Sequence, residues 1–208
     1  MIISFISRKG GTGKTTNIMH LATTLASQKK RVILIETDTN YTLTTLRKME
    51  LFKKKIAEND APFPIVGSTD EHIIENLKKF KKSKKYDYIL VDSAGKTTDE
   101  AIRKLCLESD LVVVPTSLSQ NDLLVAYQTL QDLKPAQEIN KKLKIAILPS
   151  RIHNRTNQTT VENALSSLDS IIISPFVVSK NKMAEFSTLS PIAEYKEIAK
   201  NIVSLLNK

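Results

Sequence analysis

Residues 9–16 read KGGTGKTT, and this segment lies between the apolar run 1–6 and a stretch with helical spacing. Its three glycines allow backbone N–H groups to close around phosphate oxygens, and the helix that follows offers unpaired amides and the positive end of its dipole. Lys14 then supplies a charge to the β- and γ-phosphates, and the hydroxyl of Thr15 is placed to ligate Mg²⁺. The sequence therefore predicts a strand, a phosphate-binding loop and a helix in succession, rather than a glycine-rich turn that binds nothing.

Further apolar runs have the composition of strands that are buried on both faces. Because stretches with helical spacing separate them, we predict an α/β fold, a doubly wound and mostly parallel sheet with helices on both faces. A chain of 208 residues with 41% hydrophobic content is expected to form a single domain over residues 1–208. The clearest runs are 31–37, 88–92, 111–115 and 144–149, and two weaker ones are 63–66 and 171–173.

Composition narrows the class of protein further. The one cysteine, Cys106, lies in an apolar stretch and is expected to be a buried hydrophobe, so a disulfide framework is excluded. No stretch approaches the roughly 20 apolar residues of a membrane span, and we expect a soluble, cytoplasmic protein. The net charge of +9 favours a polyanionic partner, although the lysines between 78 and 85 are more simply explained as the solvated end of a helix.

Two acidic residues are expected at strand ends, on the side of the sheet where such folds bind ligands. Asp92 ends the run 88–92 and is placed to hold Mg²⁺ as a Walker B carboxylate, although an acid at this point could instead cap the next helix. Asp38 follows the run 31–37, where it could orient the water that attacks a γ-phosphate or, equally well from the residues alone, cap a helix.

The loop departs from the usual phosphate-binding pattern in two positions. Arg8 stands where a glycine is usual, and Lys9 adds a second lysine at the entrance of the loop. This form resembles that of the ParA/MinD superfamily of deviant Walker A ATPases, and in motif order and length the chain is most similar to the short, ParF-like ParA partition proteins. The resemblance implies a Mg²⁺-dependent ATP hydrolase that dimerises around ATP, with Lys9 reaching the nucleotide of the second subunit. We expect its intrinsic hydrolysis to be slow, because the water-orienting motif around Asp38 is reduced.

The resemblance also assigns roles to individual residues. Asp38 would position the attacking water, although Glu36 replaces the first aspartate of the family's Asp-x-Asp-Pro-Gln motif. Arg151 and Pro175 would lie near the base, while from the residues alone Arg151 is as well explained as a surface arginine. The implied catalytic residues are Lys9, Lys14 and Asp38, and the implied magnesium ligands are Thr15 and Asp92. The implied nucleotide-binding residues are Lys9, Gly10, Gly11, Thr12, Gly13, Lys14, Thr15, Thr16, Arg151 and Pro175.

The function that the resemblance implies is segregation of a plasmid or chromosome. The ATP-bound homodimer would bind DNA without sequence preference, associate with the nucleoid, and be reset by a centromere-binding, ParB-like adaptor. Lys180 and Lys182 are the first candidates for the DNA surface, with the lysines between 78 and 85 as the alternative. A MinD-like positioning ATPase and a metabolic P-loop enzyme such as a dethiobiotin synthetase are the competing hypotheses. The amphipathic C-terminal segment carries Glu194 and Glu197 and is expected to face the core instead of a membrane.

Overall fold

A computed structural model describes residues 1–95 and 99–207 of the chain. The described residues form a seven-stranded sheet with the strand order β3-β2-β4-β1-β5-β6-β7, and each neighbouring pair is parallel. The predicted doubly wound α/β fold is confirmed, and each apolar run, including the two weaker ones, contributes a strand. The strands are β1 (Ile2–Phe5), β2 (Val32–Glu36), β3 (Ile65–Gly67), β4 (Tyr88–Asp92), β5 (Leu111–Thr116), β6 (Lys144–Pro149) and β7 (Ile171–Ile172).

Helices connect the strands and cover both faces of the sheet. Short 3₁₀ segments, Glu58–Asp60, Ser166–Leu168, Ala193–Tyr195 and Leu205–Asn207, join some of these elements. The α-helices are α1 (Lys14–Ser27), α2 (Thr42–Lys54), α3 (Ile73–Ser83), α4 (Asp99–Glu108), α5 (Gln120–Ile139), α6 (Gln158–Leu165), α7 (Asn181–Ala184) and α8 (Lys196–Ser204).

Alternate side chains of each strand enter one of two apolar cores. In β1, Ile2 belongs to the core under α3, α4 and α5, whereas Ile3 belongs to the core under α1 and α8. Cys106 is fully buried in the first core, as expected, and burial raises the pKa of its thiol to about 12. The second core contains the inward face of α8, including Ile198 and Ile202, which confirms that the C-terminal stripe faces the core.

The strand ends bring the predicted polar residues to one edge of the sheet. Asp92 lies opposite Phe5 in the register between β4 and β1, and opposite Glu36 in the register between β4 and β2. The segment that follows β1 is the predicted phosphate loop, so this loop and both acidic strand ends meet at the carboxyl edge. Within the described part of the chain, no helix is both long and apolar enough to cross a bilayer.

Candidate nucleotide-binding site

The loop between β1 and α1 has a backbone that requires glycine at two positions. The φ angle is 75° at Gly11 and 98° at Gly13, and both lie in the left-handed region. The carbonyl of Gly13 accepts from the backbone N of Asn17 at 3.0 Å, so the first turn of α1 begins directly behind the loop. A Cβ on Gly95 would lie 3.2 Å from the N of Gly10, which means that the segment after β4 packs closely on the loop. The result is a glycine-rich backbone at a helix N-terminus, the arrangement that binds anions.

Lys14 is the first residue of α1 and is buried against the loop. Its Nζ donates to the carbonyl of Lys9 at 3.2 Å. Burial lowers the pKa of Lys14, while the carboxylates of Asp92 and Asp38 act in the opposite direction. The ammonium group therefore lies over the loop, within electrostatic reach of two carboxylates.

Asp92 ends β4 and is buried beside this lysine. Burial raises the pKa of its carboxyl to about 7, although the Thr15 side chain and the charge of Lys14 act to lower it. Its Oδ1 has no hydrogen-bond partner among the described residues, which is rare for a buried oxygen. An unpartnered carboxylate oxygen near a threonine hydroxyl fits a hard cation such as Mg²⁺.

The donor set around Asp92 also indicates which kind of ion fits. Across residues 1–95 and 99–207, the side chains of His, Cys, Asp and Glu form no group of three or more that could hold a metal ion. Mg²⁺ is usually bound through one or two carboxylates together with waters and substrate phosphates, so a site with few protein ligands suits it.

The two acids at the end of β2 have different surroundings. Glu36 is buried, and its carboxylate accepts from the backbone N of Leu43 at 2.8 Å and of Thr44 at 3.1 Å. Glu36 therefore satisfies the N-terminal amides of α2, the capping role that was the alternative for Asp38. Asp38 is partly exposed, and its Oδ1 accepts from the backbone N of Asn40 at 3.0 Å in a local turn. It lines a cavity of about 730 Å³ together with Gly10, Thr37 and Gly95.

Lys9 lies at the loop entrance, but its ammonium group points away from the loop. The Nζ of Lys9 lies 2.7 Å from Oδ1 of Asp122, in the first turn of α5. The other oxygen, Oδ2, accepts from Arg151 at 2.9 Å and from Ser117 at 2.6 Å. Burial raises the pKa of Asp122, but the hydrogen bonds from Lys9 and Ser117 and the nearby charges outweigh it and leave the pKa lowered.

Asp122 was not a candidate in the sequence. Its only local signal is the Ser119-x-x-Asp122 spacing, which is typical of a helix start, and Ser119 Oγ does accept from the backbone N of Asp122 at 3.2 Å. That signal predicts a cap and gives no indication of the two cations that the carboxylate holds.

A second cavity, of about 260 Å³, opens on the other side of the loop. Arg151, the residue after Ser150 at the end of β6, lines it with a φ of 59°. Asn17 also lines the cavity, and its side-chain amide donates to Gly13 O at 2.8 Å and to Ser150 Oγ at 2.9 Å. The predicted residues Gly11, Gly13, Lys14, Thr15, Thr16 and Arg151 all line this cavity.

Pro175 is not part of that lining. The lining segment near it is Val177 to Lys180, and the peptide bond between Ser174 and Pro175 is cis.

The two candidate DNA-binding lysines have different environments. Lys180 borders the 260 Å³ cavity, whereas Nζ of Lys182 forms an ion pair with Glu194 at 2.9 Å.

The VirC1 protein family matches residues 1–196 of the chain. A maintenance of carboxysome distribution protein A from Halothiobacillus neapolitanus is 30% identical over 159 residues, which is 74% of this chain and 70% of that protein.

Solved structures share the fold over nearly the whole chain. A plasmid partition protein from Borrelia burgdorferi superposes with a TM-score of 0.68 at 20% identity, over 98% of this chain and 97% of that one. The ATP complex of a Cyanothece McdA protein gives a TM-score of 0.70 at 17% identity, over 99% of this chain and 96% of that one.

Proposed function

The chain belongs to the VirC1 family, within the ParA/MinD superfamily, and we propose that it is a Mg²⁺-dependent ATPase that segregates DNA. The observation that carries the proposal is the unpartnered oxygen of Asp92, buried beside Lys14 and near Thr15, under a loop whose backbone is shaped to bind phosphate. The ATP complex of the Cyanothece protein with the same fold supports ATP as the nucleotide.

In this proposal, Thr15 and Asp92 would hold the magnesium ion, and Lys14 would face the β- and γ-phosphates. The ion would neutralise charge that develops on the phosphate oxygens. Asp38 lines the larger cavity. With the γ-phosphate in that cavity, Asp38 would accept a hydrogen bond from the attacking water. Since Asp38 is partly exposed and holds only a local turn, we expect slow hydrolysis by the free protein.

The ATP-bound form is proposed to be a homodimer in which Lys9 acts on the nucleotide of the second subunit. A cation at the entrance of the loop would interact most strongly with a second triphosphate that lies opposite it, as an arginine finger does. Leu124 and Tyr127 are exposed on α5, the helix that carries Asp122, and they offer apolar surface for a second copy. A ParB-like adaptor would then stimulate hydrolysis and return the protein to the monomer.

DNA binding by the dimer would be electrostatic and would place the protein on the nucleoid in the cytoplasm. The net charge of +9 supports this, and Lys180 is the better placed of the two first candidates because Lys182 is already paired with Glu194. The lysines at the end of α3 are the alternative surface. Of these, Lys78 lies 3.8 Å from Glu108.

A positioning ATPase for a protein cargo is the second candidate function. The similarity to a carboxysome distribution protein favours it, since that relative is named for the placement of a protein body. The two functions differ in the adaptor and the cargo rather than in the nucleotide site.

The deciding experiment is retention of the purified protein on plasmid DNA at low salt. We expect retention with ATP and not with ADP, and the slope of log affinity against log salt should fall when Lys180 and Lys182 are both changed to Ala. Lys141→Ala with Lys142→Ala, in the turn between α5 and β6, is the matched control. Salt-insensitive or sequence-selective binding would contradict the proposal, and an unchanged slope would move the footprint to the lysines of α3.

Hydrolysis is tested separately with Asp38→Ala. This variant should bind ATP with unchanged affinity and release phosphate at a rate at least about tenfold lower, because it keeps the loop and loses the group that orients water. Undiminished phosphate release would remove Asp38 from the mechanism.

A further inference from the structure

The outward face of α2 carries the most exposed large apolar side chains of the described residues. Phe52 is 89% exposed and Met49 is 63% exposed. They are three positions apart on the helix and are therefore neighbours on its surface. Two adjacent apolar groups of this size, held in water on an ordered helix, are a feature of surfaces that bind a partner.

The inward face of α2 fixes the helix so that Phe52 and Met49 cannot turn inward. Arg47 is buried and donates to the carbonyl of Phe63 at 2.7 Å and to the carbonyl of Thr188 at 2.7 Å. Glu50 accepts from Ser187 Oγ at 2.7 Å and from the backbone N of Thr188 at 2.6 Å. These contacts anchor α2 to the segment before the C-terminal helix, and the apolar pair stays on the solvent side.

The exposed charges on the helix around this pair are basic. Glu50 is the only acidic residue of α2, and its carboxylate is turned inward onto Ser187 and Thr188. Within residues 1–95 and 99–207, no carboxylate lies within ion-pair distance of the lysines that surround Phe52. These exposed lysines are Lys48, Lys53, Lys54 and Lys55.

A concave surface adjoins the exposed face. Between α2 and the edge strand β3 there is a groove of about 410 Å³, and Lys48 lies on both the groove and the outer face. A flat bilayer cannot fill such a groove, and a DNA backbone gains little from burying phenylalanine and methionine. A peptide can fill the groove and can also cover the two apolar side chains. The groove is lined by residues that include Lys48, Leu51, Glu58, Phe63, Ile65 and Val66.

We propose that the outer face of α2 docks an acidic segment of a partner protein, which places apolar side chains on Phe52 and Met49 and in the adjoining groove. Carboxylates of the segment pair with the lysines, and its apolar residues cover the exposed pair. The proposal concerns a surface and does not depend on ATP hydrolysis, so its test is carried out without nucleotide.

The probe is a fluorescein-labelled amphipathic peptide of glutamate with leucine at helical spacing, and its charge-reversed counterpart contains lysine in place of glutamate. We expect the full-length protein to bind the acidic peptide and not the basic one. Phe52→Ala with Met49→Ala should weaken binding about tenfold or more. Both side chains are exposed, so thermal unfolding should be unchanged.

Two matched controls distinguish docking at this surface from nonspecific hydrophobic or electrostatic binding. Ile139→Ala removes another exposed apolar side chain, at the end of α5, and should leave binding unchanged. Lys48→Glu with Lys53→Glu should abolish binding, whereas Lys141→Glu with Lys142→Glu should weaken it less than about twofold.

Anionic phosphatidylserine vesicles are the competing probe. Vesicle binding without peptide binding would overturn the proposal in favour of a membrane surface. Peptide binding that survives Phe52→Ala with Met49→Ala, or the absence of any binding, would overturn it as well. Titration of the same variant with fluorescent ATP should give wild-type affinity, so failure of the docking surface stays distinct from failure of the nucleotide site.

Discussion

Lys9 and Asp122 form an ion pair within one chain, with 2.7 Å between Nζ and Oδ1. The carboxylate is almost fully buried, at 3% exposure, whereas the lysine side chain is 39% exposed. The ammonium group that we propose acts on the nucleotide of a second subunit is therefore held by an acid of its own subunit. Dimerisation around ATP has to release Lys9 from Asp122. The free energy needed to break this ion pair makes association weaker.

The first prediction follows from this pair. Asp122→Asn should shift ATP-dependent dimerisation to a protein concentration about two- to fivefold lower, because an ion pair whose lysine is partly exposed contributes about 1 kcal/mol or less. The measurement is light scattering with ATP, in an Asp38→Ala background that prevents turnover. Asp87→Asn is the control, since it removes the exposed pair with Arg31 at the opposite edge of the sheet. An unchanged midpoint for Asp122→Asn would show that the pair does not restrain Lys9.

The second prediction separates the two lysines of the loop. Lys14→Ala should weaken ATP binding about tenfold or more, because it removes the charge that lies over the loop. Lys9→Ala should change monomer affinity less than about twofold, because its ammonium group lies on Asp122 instead of over the loop. Titration with fluorescent ATP, at protein concentrations too low for dimers, distinguishes them. Equal losses would mean that Lys9 binds the nucleotide of its own subunit.

The strands and the phosphate loop could be predicted because their signals are local. Continuous apolar runs identify buried strands, and the glycines with Lys14 and Thr15 lie within one short segment. Lys9 and Asp122 are 113 positions apart, so their contact exists only after β1 and β5 have become neighbours in the sheet.

Glu36 shows a different limit of sequence analysis. Its position suggests a replaced aspartate of the ParA motif, but it caps α2 through the backbone of Leu43 and Thr44. The residue before α2 is Tyr41, which has a left-handed conformation and no capping side chain. The sequence at the start of α2 therefore contains no local signal that predicts Glu36 as its cap.

The third prediction concerns the stability of the anchor under α2. Arg47→Met should lower the free energy of unfolding by about 2–4 kcal/mol, because it leaves the carbonyls of Phe63 and Thr188 without their donor. The burial that lowers the pKa of Arg47 to about 10 marks the desolvation that these hydrogen bonds offset. Urea unfolding measures the change. Lys48→Met, on the exposed face of the same helix, should stay within about 0.5 kcal/mol of wild type, and equal effects would contradict the assigned role.

The fourth prediction concerns pH and Asp92. An ordinary aspartate has a pKa of 3.8, and burial raises that of Asp92 to about 7 in the folded protein. The folded state therefore holds this proton more tightly than the unfolded chain. As pH rises from about 4 to about 7, the unfolded state ionises first, and the free energy of unfolding falls by an amount on the order of 2–4 kcal/mol.

Asp92→Asn removes this penalty, because the amide stays neutral at every pH. Without Mg²⁺ or nucleotide, the variant should be more stable than wild type at pH 8 and close to it at pH 4, while losing the Mg²⁺ dependence of ATP binding. Urea unfolding in EDTA at the two pH values measures the first effect, with the exposed Asp60→Asn as control. A stability difference that is the same at pH 4 and pH 8 would mean that the carboxylate is not desolvated. Opposite effects on stability and on Mg²⁺ binding would show that the charge of Asp92 serves to bind the ion and destabilises the folded protein.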